Sequence, residues 1–166
     1  KSKKYITIGL VFHLLAIIFS IGYYTHDEQR EVLQVVGYKL GVYDSSYLSF
    51  QFHSMLRAWL HPLIYIWPSK IYLFFFKFNP FTLAFIYRLT SSLIGISSLW
   101  VLYKSFSKKL EVAYGEKFQN TFFFFAGMLW FLPFLHARTA NENLCSSFFI
   151  FGFFYLTKES TWKNAI

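Results

Sequence analysis

The residues best suited to chemistry in this sequence are two adjacent carboxylates, Asp27 and Glu28, which follow directly on a long apolar run. A carboxylate that is partly desolvated beside a membrane, with cations near it, acquires a pKa suited to a general base. Such a base removes the proton from a hydroxyl group as that group attacks a substrate. A second interpretation stays open, because acidic residues also stabilise the N-terminus of a helix, which Thr25 would cap.

Three arginines carry charge complementary to a phosphate: Arg57, Arg88 and Arg138. A guanidinium group binds a phosphate through two parallel hydrogen bonds, so arginine is suited to stabilising a departing phosphate. Arg57 and Arg138 are the stronger candidates, since Arg88 lies near the start of an apolar segment and can pair within a helix bundle. For all three, a purely structural role at the edge of a membrane is the alternative.

Other kinds of site have no support in the sequence. The single cysteine, Cys145, excludes a cysteine-based metal cluster and an intrachain disulfide. His13 lies within the first apolar run, where we expect it to form a hydrogen bond inside a helix bundle. The remaining histidines lack the spacing of metal ligands, so no metal site is predicted; they are His26, His53, His61 and His136. The sequence also contains no nucleophile-elbow, Walker or dinucleotide-binding glycine motif.

The composition indicates that the bilayer is the solvent for much of the chain. Of 166 residues, 55% are hydrophobic and 24% are aromatic, including 23 phenylalanines, while only 14% are charged. An ordinary soluble domain has about 25% charged residues. A mean hydropathy of +0.39 excludes a disordered chain or a coiled coil, and a chain of this length cannot bury so many phenylalanines in a soluble core.

The excess of basic residues indicates membrane orientation rather than nucleic-acid binding. There are 16 Lys and Arg against 8 Asp and Glu, which gives a net charge of +8. The basic residues are interspersed among the apolar runs instead of forming one continuous stripe. Because lysines and arginines at the ends of membrane spans mark the cytoplasmic side, we expect no nucleic-acid partner.

Four apolar runs predict transmembrane helices at residues 5–24, 81–103, 121–136 and 143–157. About 20 apolar residues are needed to cross a hydrocarbon core of about 30 Å, and the last two runs are shorter than that. The first run is longer than the apolar core of a signal peptide, and no small-x-small cleavage site follows it. We therefore expect it to be retained as a span.

A further apolar stretch, at residues 60–78, is predicted to lie along the membrane surface. Pro62 and Pro68 interrupt helical hydrogen bonding, and Lys70 would be costly at the centre of a span. With this stretch at the interface, the lysine clusters all fall on one side of the membrane. The acidic residues between positions 27 and 44 fall on the other side.

The resulting arrangement is an all-α, polytopic membrane protein with interfacial helices in its first exoplasmic loop. The N-terminus and a basic loop at 104–119 are cytoplasmic, while a long loop at 25–80 and a short turn at 136–143 are exoplasmic. The two carboxylates and the three arginines then share the exoplasmic side. The sequence begins without a methionine, and we expect it to be a piece of a longer protein.

Five short motifs, in order along the chain, carry a family resemblance. They are Asp27-Glu28 after the first span, YLSFQF at 47–52, LRAWLHPL at 56–63, RLTS at 88–91 and RTANE at 138–142. In this order they resemble the N-terminal part of glycosyltransferase family 22. That family contains the dolichyl-phosphate-mannose-dependent mannosyltransferases of GPI-anchor biosynthesis and N-glycan assembly. The sequence departs from the family at 50–52, where FQF lacks both tryptophans and the acid.

The resemblance implies a GT-C architecture in which residues 1–166 form the N-terminal part of one transmembrane glycosyltransferase domain. The protein would be an inverting mannosyltransferase that moves mannose from a dolichyl or other polyprenyl phosphate to a glycolipid or glycan acceptor on the lumenal or periplasmic side. Its partners would be membrane lipid, the lipid-linked donor and that acceptor, with no metal or other cofactor. The implied location is the endoplasmic reticulum membrane in a eukaryote and the inner (plasma) membrane in a bacterium.

The same resemblance implies roles for the candidate residues. Asp27 would take the proton of the acceptor hydroxyl, and Glu28 would orient the site or the acceptor, although the exchange of these two roles stays open. Arg57 and Arg138, and less directly Arg88, would bind the lipid phosphate.

Two other functions are consistent with the sequence. One is another GT-C transferase that takes a different sugar from a polyprenyl phosphate or glycosylates a protein; the segments at 47–52 and 56–62 favour family 22 instead. The other is a non-enzymatic membrane protein, either a transporter or a structural subunit. A transporter places polar residues at mid-membrane on broken helices, whereas the clear apolar runs here are rich in Phe, Leu and Ile, with charges gathered at one face.

Overall fold

The computed structural model describes residues 2–22, 26, 28–54, 59–129 and 131–158. Within these residues the chain is helical and contains no β-strand, which confirms the predicted all-α class. The α-helices are α1 (Lys3–Phe19), α2 (Gln34–Lys39), α3 (Phe50–His53), α4 (Leu60–Phe75), α5 (Pro80–Met128), α6 (Phe131–His136) and α7 (Asn141–Lys158). A π-helical turn at Glu28–Leu33 leads into α2, and a 3-10 turn at Ser45–Tyr47 precedes α3.

Helix α1 packs one narrow face against α5, and the large apolar side chains on its other faces are exposed. The buried residues recur at helical spacing; they are Ile6, Gly9, His13 and Ile17. Gly9 allows the closest approach, since a Cβ atom there would lie 2.3 Å from the carbonyl oxygen of Gly127 in α5. The helix ends at Phe19, earlier than the predicted first span.

Helix α5 is a hairpin of two helical arms rather than a single rod. Gly115 alone within it departs from helical geometry, with φ 83° and ψ 165°, a conformation open almost only to glycine. The second arm packs back along the first arm. The Gln119 side chain donates hydrogen bonds to the carbonyl and hydroxyl oxygens of Ser107 at 2.9 and 2.8 Å, and the rings of Tyr103 and Phe123 are 5.1 Å apart.

The predicted connection at 104–119 does contain the chain reversal, but it is helical on both sides of Gly115 instead of irregular, and its cytoplasmic position stays a prediction. The stretch contains four Lys and two Glu together with one Leu, one Ala and one Gln, all of which are good helix formers. In the sequence, the charged residues of this stretch suggest a loop. In the structure they lie at the ends of two helical arms. One glycine is enough to reverse the chain.

Helix α4 continues through Pro68, so the expectation that this proline interrupts the helix is wrong. Tyr65 and Ile66 before it and Ser69 after it are all buried, and their packing holds the helix together despite one missing hydrogen bond. The 16 residues of α4 extend about 24 Å at about 1.5 Å per residue. Its position along the membrane surface stays a prediction.

The predicted third span at 121–136 is divided into two helices. Helix α5 ends at Met128 and α6 begins at Phe131, with Pro133 in the first turn of α6, where a missing N–H group is tolerated. Helix α7 covers the predicted fourth run and packs on α5, and α1 also contacts α6.

A cluster of apolar side chains fixes the segment that follows α1. Val32 and Val36 are almost fully buried and pack with Tyr65 of α4 and with Leu83 and Tyr87 of α5. This cluster holds the π-helical turn against α4 and the start of α5. It therefore determines where the polar side chains of that turn lie.

Among the described residues, only Pro80–Met128 contains a helical stretch that is long and apolar enough to cross a membrane. This property supports membrane association. The multi-pass arrangement stays a prediction.

Candidate functional site

The side chain of Glu28 joins two distant parts of the chain. Glu28 opens the π-helical turn, and only 5% of it is exposed. Its Oε1 atom accepts hydrogen bonds from the backbone N–H and the hydroxyl of Thr139, at 2.7 and 2.8 Å. One turn later, Glu31 Oε2 accepts a hydrogen bond of 2.9 Å from the Asn141 side chain. Two carboxylates of the turn thus hold the connection between α6 and α7.

Arg138 lies in that connection and is also only 5% exposed. Its two terminal nitrogens donate hydrogen bonds to the carbonyl oxygens of Gly22 and Ile21, just after α1. The guanidinium carbon lies 4.4 Å from the centre of the Phe134 ring, a cation–π contact. The Nε atom has no hydrogen-bond partner in the described part of the chain. Arg138 therefore brings a buried positive charge to the end of α1.

Arg88 adds a second cation to the same region. It lies on the first arm of α5, where its Nε donates a hydrogen bond of 3.2 Å to the carbonyl oxygen of Ala84. Arg88 and Arg138 are close enough for their charges to repel each other. Arg88 is only partly buried, whereas Arg138 is buried. Two neighbouring guanidinium groups, one of them buried, are suited to binding an anion.

Asn143 is a residue of the site that the sequence did not identify. Its side-chain nitrogen donates to the carbonyl oxygens of His136 at 3.2 Å, Arg138 at 3.3 Å and Ser91 at 3.4 Å. The Ser91 hydroxyl in turn lies 2.8 Å from the hydroxyl of Tyr65. Asn143 therefore fixes the backbone of the α6–α7 connection on the first arm of α5.

His61 is a second residue that the sequence did not single out, although it lies within the motif at 56–63. It is buried on α4 near Asn141, Glu142 and Glu28. Desolvation by burial lowers the pKa of its imidazole. The Asn141 side chain and the two carboxylates raise that pKa by less. The ring is therefore neutral at neutral pH, and its centre lies 5.6 Å from the centre of the Tyr65 ring.

His13 and His136 form a buried pair next to the connection between α6 and α7. His13 Nδ1 lies 2.7 Å from the carbonyl oxygen of Gly9, and His13 Nε2 lies 2.8 Å from His136 Nδ1. A carbonyl oxygen only accepts hydrogen bonds, so His13 donates from Nδ1 and accepts at Nε2 from the N–H of His136. The prediction that His13 forms a hydrogen bond inside the helix bundle is thus confirmed. Gly95 makes room for the His136 ring, because a Cβ atom there would lie 2.4 Å from it.

The structure brings together three of the five predicted site residues: Glu28, Arg88 and Arg138. They come from three separate segments and meet where α1 and α6 end and where α5 and α7 begin. Asp27 and Arg57 lie outside the described residues. Glu28 is in the first turn of a helix, as the alternative interpretation of the acidic pair expects, and its carboxylate also binds Thr139. No group of three or more His, Cys, Asp or Glu side chains among the described residues is arranged to hold a metal ion.

Comparisons of the chain with family models, with curated proteins and with solved structures find no match.

Proposed function

We propose that this chain is the N-terminal part of a membrane-embedded GT-C glycosyltransferase of the family 22 type. It transfers mannose from a dolichyl or other polyprenyl phosphate to a glycolipid or glycan acceptor on the lumenal or periplasmic side. The observation that carries the proposal is the convergence of Glu28, Arg88 and Arg138 at one end of the helix bundle. The order of the five sequence motifs supports the choice of family.

In the proposed reaction, the acceptor hydroxyl oxygen attacks the anomeric carbon of the sugar while the bond from that carbon to the phosphate oxygen breaks. Asp27 takes the hydroxyl proton. The released polyprenyl phosphate carries the negative charge, which Arg138 and Arg57 stabilise through their N–H groups. Glu28 acts as a positioning residue, because one of its oxygens is already bound by Thr139.

The distribution of exposed side chains supports a place in the membrane. Large apolar residues on the outer faces of α1 and α7 are exposed, among them Leu14, Ile18 and Phe149. Lysines gather at the opposite end of the bundle from Glu28, at the start of α1 and around Gly115. This segregation supports an exoplasmic site and a cytoplasmic hairpin end.

The proposal is tested with Asp27→Asn in the purified full-length protein. Asparagine keeps the shape of aspartate but does not accept the proton, and losing a general base costs about 10²–10⁴-fold in rate. We expect that loss in transfer from dolichyl-phosphate mannose, with normal expression and membrane insertion. Asp44→Asn is the matched control, since Asp44 is an exposed carboxylate of the same loop, and it should leave the rate unchanged.

Near wild-type turnover of Asp27→Asn together with loss of turnover in Glu28→Gln would exchange the roles of the two carboxylates. Full activity of both variants would overturn the enzymatic interpretation of this segment. Donors carrying other sugars on the same lipid phosphate distinguish family 22 from other GT-C transferases, because only mannose should be transferred.

A further inference from the structure

A small pocket of about 290 Å³ opens between the π-helical turn and the segment that follows α2. Gln29 and Leu33 of the turn form one wall together with Gln34, the first residue of α2. Tyr43 and Tyr47 form the other wall. Binding sites for drug-sized molecules have volumes of about 300–1,000 Å³. The pocket therefore suits a ligand smaller than a typical drug.

The π-helical turn divides its side chains between the helix bundle and the pocket. Glu28 and Val32 are buried against the bundle, whereas Gln29 and Leu33, each one position later, line the pocket. Thr139 donates two hydrogen bonds to the Glu28 carboxylate. The contacts that hold the turn on the bundle therefore also fix this wall of the pocket.

The tyrosine wall is held by the chain reversal after α2. The chain turns at Gly41, whose φ is 76°, and the N–H of Val42 donates a hydrogen bond of 2.9 Å to the carbonyl oxygen of Gly37. The Tyr43 ring packs directly on Gly37, where a Cβ atom would lie 2.5 Å from it. The rings of Tyr43 and Tyr47 are 6.1 Å apart and inclined by 42°. Both side chains are exposed, so ring surface is open to a ligand.

The lining combines amide groups with aromatic rings and carries no charge among the described residues. Each glutamine amide offers one acceptor and two N–H donors, which match the hydroxyl groups around a sugar ring. The face of a tyrosine ring is electron-rich and packs against the C–H groups of a sugar. Arg30 and Asp44 are neighbours of lining residues in the sequence, but they do not line the pocket. A charged ligand would therefore lose solvation here without gaining a counter-charge.

We propose that this pocket binds an uncharged sugar ring of the acceptor, stacked on Tyr47 and hydrogen-bonded by Gln29 and Gln34. The assignment of the ring to the acceptor rests on the proposed function, whereas the preference for an uncharged ring rests on the lining. Asp27 lies two positions before Gln29 in the sequence, so the ring is bound beside the segment that carries the proposed base. The pocket selects among acceptors, because it rejects a ring that bears a phosphate or an ammonium group.

The test uses the full-length protein in nanodiscs and an α-linked mannobioside that carries a diazirine on its aglycone. We expect photolabelled peptides from residues 28–47. Tyr47→Leu keeps an apolar side chain but removes the aromatic face, and it should lower labelling about three- to tenfold. Tyr114→Leu is the matched control, since Tyr114 is 67% exposed, against 65% for Tyr47, and lies beside Gly115 in α5. Its labelling should match the wild type.

Further variants and competitors separate the stacking, the hydrogen bonds and the charge preference. Tyr47→Phe keeps the ring face and should label like the wild type, whereas Gln34→Leu loses the amide and should label less. Unlabelled methyl mannoside should compete with the probe. Its 6-phosphate and its 6-amino-6-deoxy derivative should compete at least about tenfold less, because neither charge finds a partner in the lining. A melting temperature for each variant identifies those that fold.

Wild-type labelling in folded Tyr47→Leu would overturn the inference, and so would a loss in Tyr47→Phe as large as that in Tyr47→Leu. Equal competition by the phosphate or the amine derivative would overturn the charge preference, with or without folded variants. Mannose transfer by Tyr47→Leu with an unchanged KM for the acceptor would refute the pocket and leave the proposed function standing. Labelling that depends on Tyr47 in a protein that transfers no mannose would support the pocket and contradict the proposed function.

Discussion

The carboxylate of Glu28 accepts a hydrogen bond of 2.7 Å from the backbone N–H of Thr139, a residue 111 positions away in the chain. The Thr139 hydroxyl donates to the same oxygen at 2.8 Å. This pair links the π-helical turn that follows the first helix to the connection that carries Arg138. The distance between the acidic segment and the buried guanidinium is therefore set by Thr139.

Removing the hydroxyl of Thr139 should weaken this link. A hydrogen bond to a charged group contributes about 1.5–3 kcal/mol, so Thr139→Val should lower the free energy of unfolding by about that amount. Thr139→Ser keeps the donor and should be close to the wild type. Unfolding of the purified protein in detergent measures both variants. Equal destabilisation by serine and valine would show that the methyl group matters instead of the hydrogen bond.

Gly95 should not tolerate a side chain. A Cβ atom there would lie 2.4 Å from the His136 ring, and overpacking of this kind costs about 1–3 kcal/mol. We expect Gly95→Ala to lower the melting temperature. Gly152→Ala is the control, because Gly152 is also within a helix and nothing lies within 4 Å of its Cβ position. That change should leave stability equal or raise it by about 0.5–1 kcal/mol, since alanine is the better helix former.

Gly115 should also not tolerate substitution by another residue, but for a different reason. Its φ of 83° and ψ of 165° are strained for any other residue, but the space around it is open. Gly115→Ala should therefore cost about 1–3 kcal/mol through backbone strain alone. Thermal unfolding measures the loss. A stability equal to that of the wild type would mean that the hairpin reverses in another conformation.

The orientation of the bundle is tested by cysteine labelling after Cys145, which is exposed, has been changed to serine. Ser46→Cys reports on the predicted exoplasmic loop, and Val112→Cys reports on the tip of the hairpin, where Val112 is 89% exposed. A membrane-impermeant maleimide should reach position 46 from the exoplasmic side only and position 112 from the cytoplasmic side only. Labelling of both positions from one side would contradict the predicted topology.

The apolar runs of the sequence identify most of the long helices, because continuous hydrophobicity is a local property. They do not identify where a helix bends. The charged stretch around Gly115 interrupts the apolar pattern, yet it is helical up to the glycine on both sides. Pro68 is the reverse case, since a helix breaker in the sequence is overridden by the packing of Tyr65 and Ile66 around it.

The segregation of charges along the chain is enough to place Glu28, Arg88 and Arg138 on one predicted side of the membrane. It does not identify their partners. Asn143 has no local pattern that distinguishes it from any other asparagine near a helix start, and its three carbonyl partners come from two segments. Residues of this kind can be identified as part of a site only when the packing of distant helices is known.

The hairpin at Gly115 also bears on the order in which the molecule assembles. The hydrogen bonds between Gln119 and Ser107 close a segment of only 12 residues, whereas the bond between Glu28 and Thr139 closes one of 111. The entropic cost of closing a chain segment rises with its length, and local contacts form faster than distant ones. Pairing the two arms of α5 therefore costs less chain entropy than docking the acidic turn on Thr139.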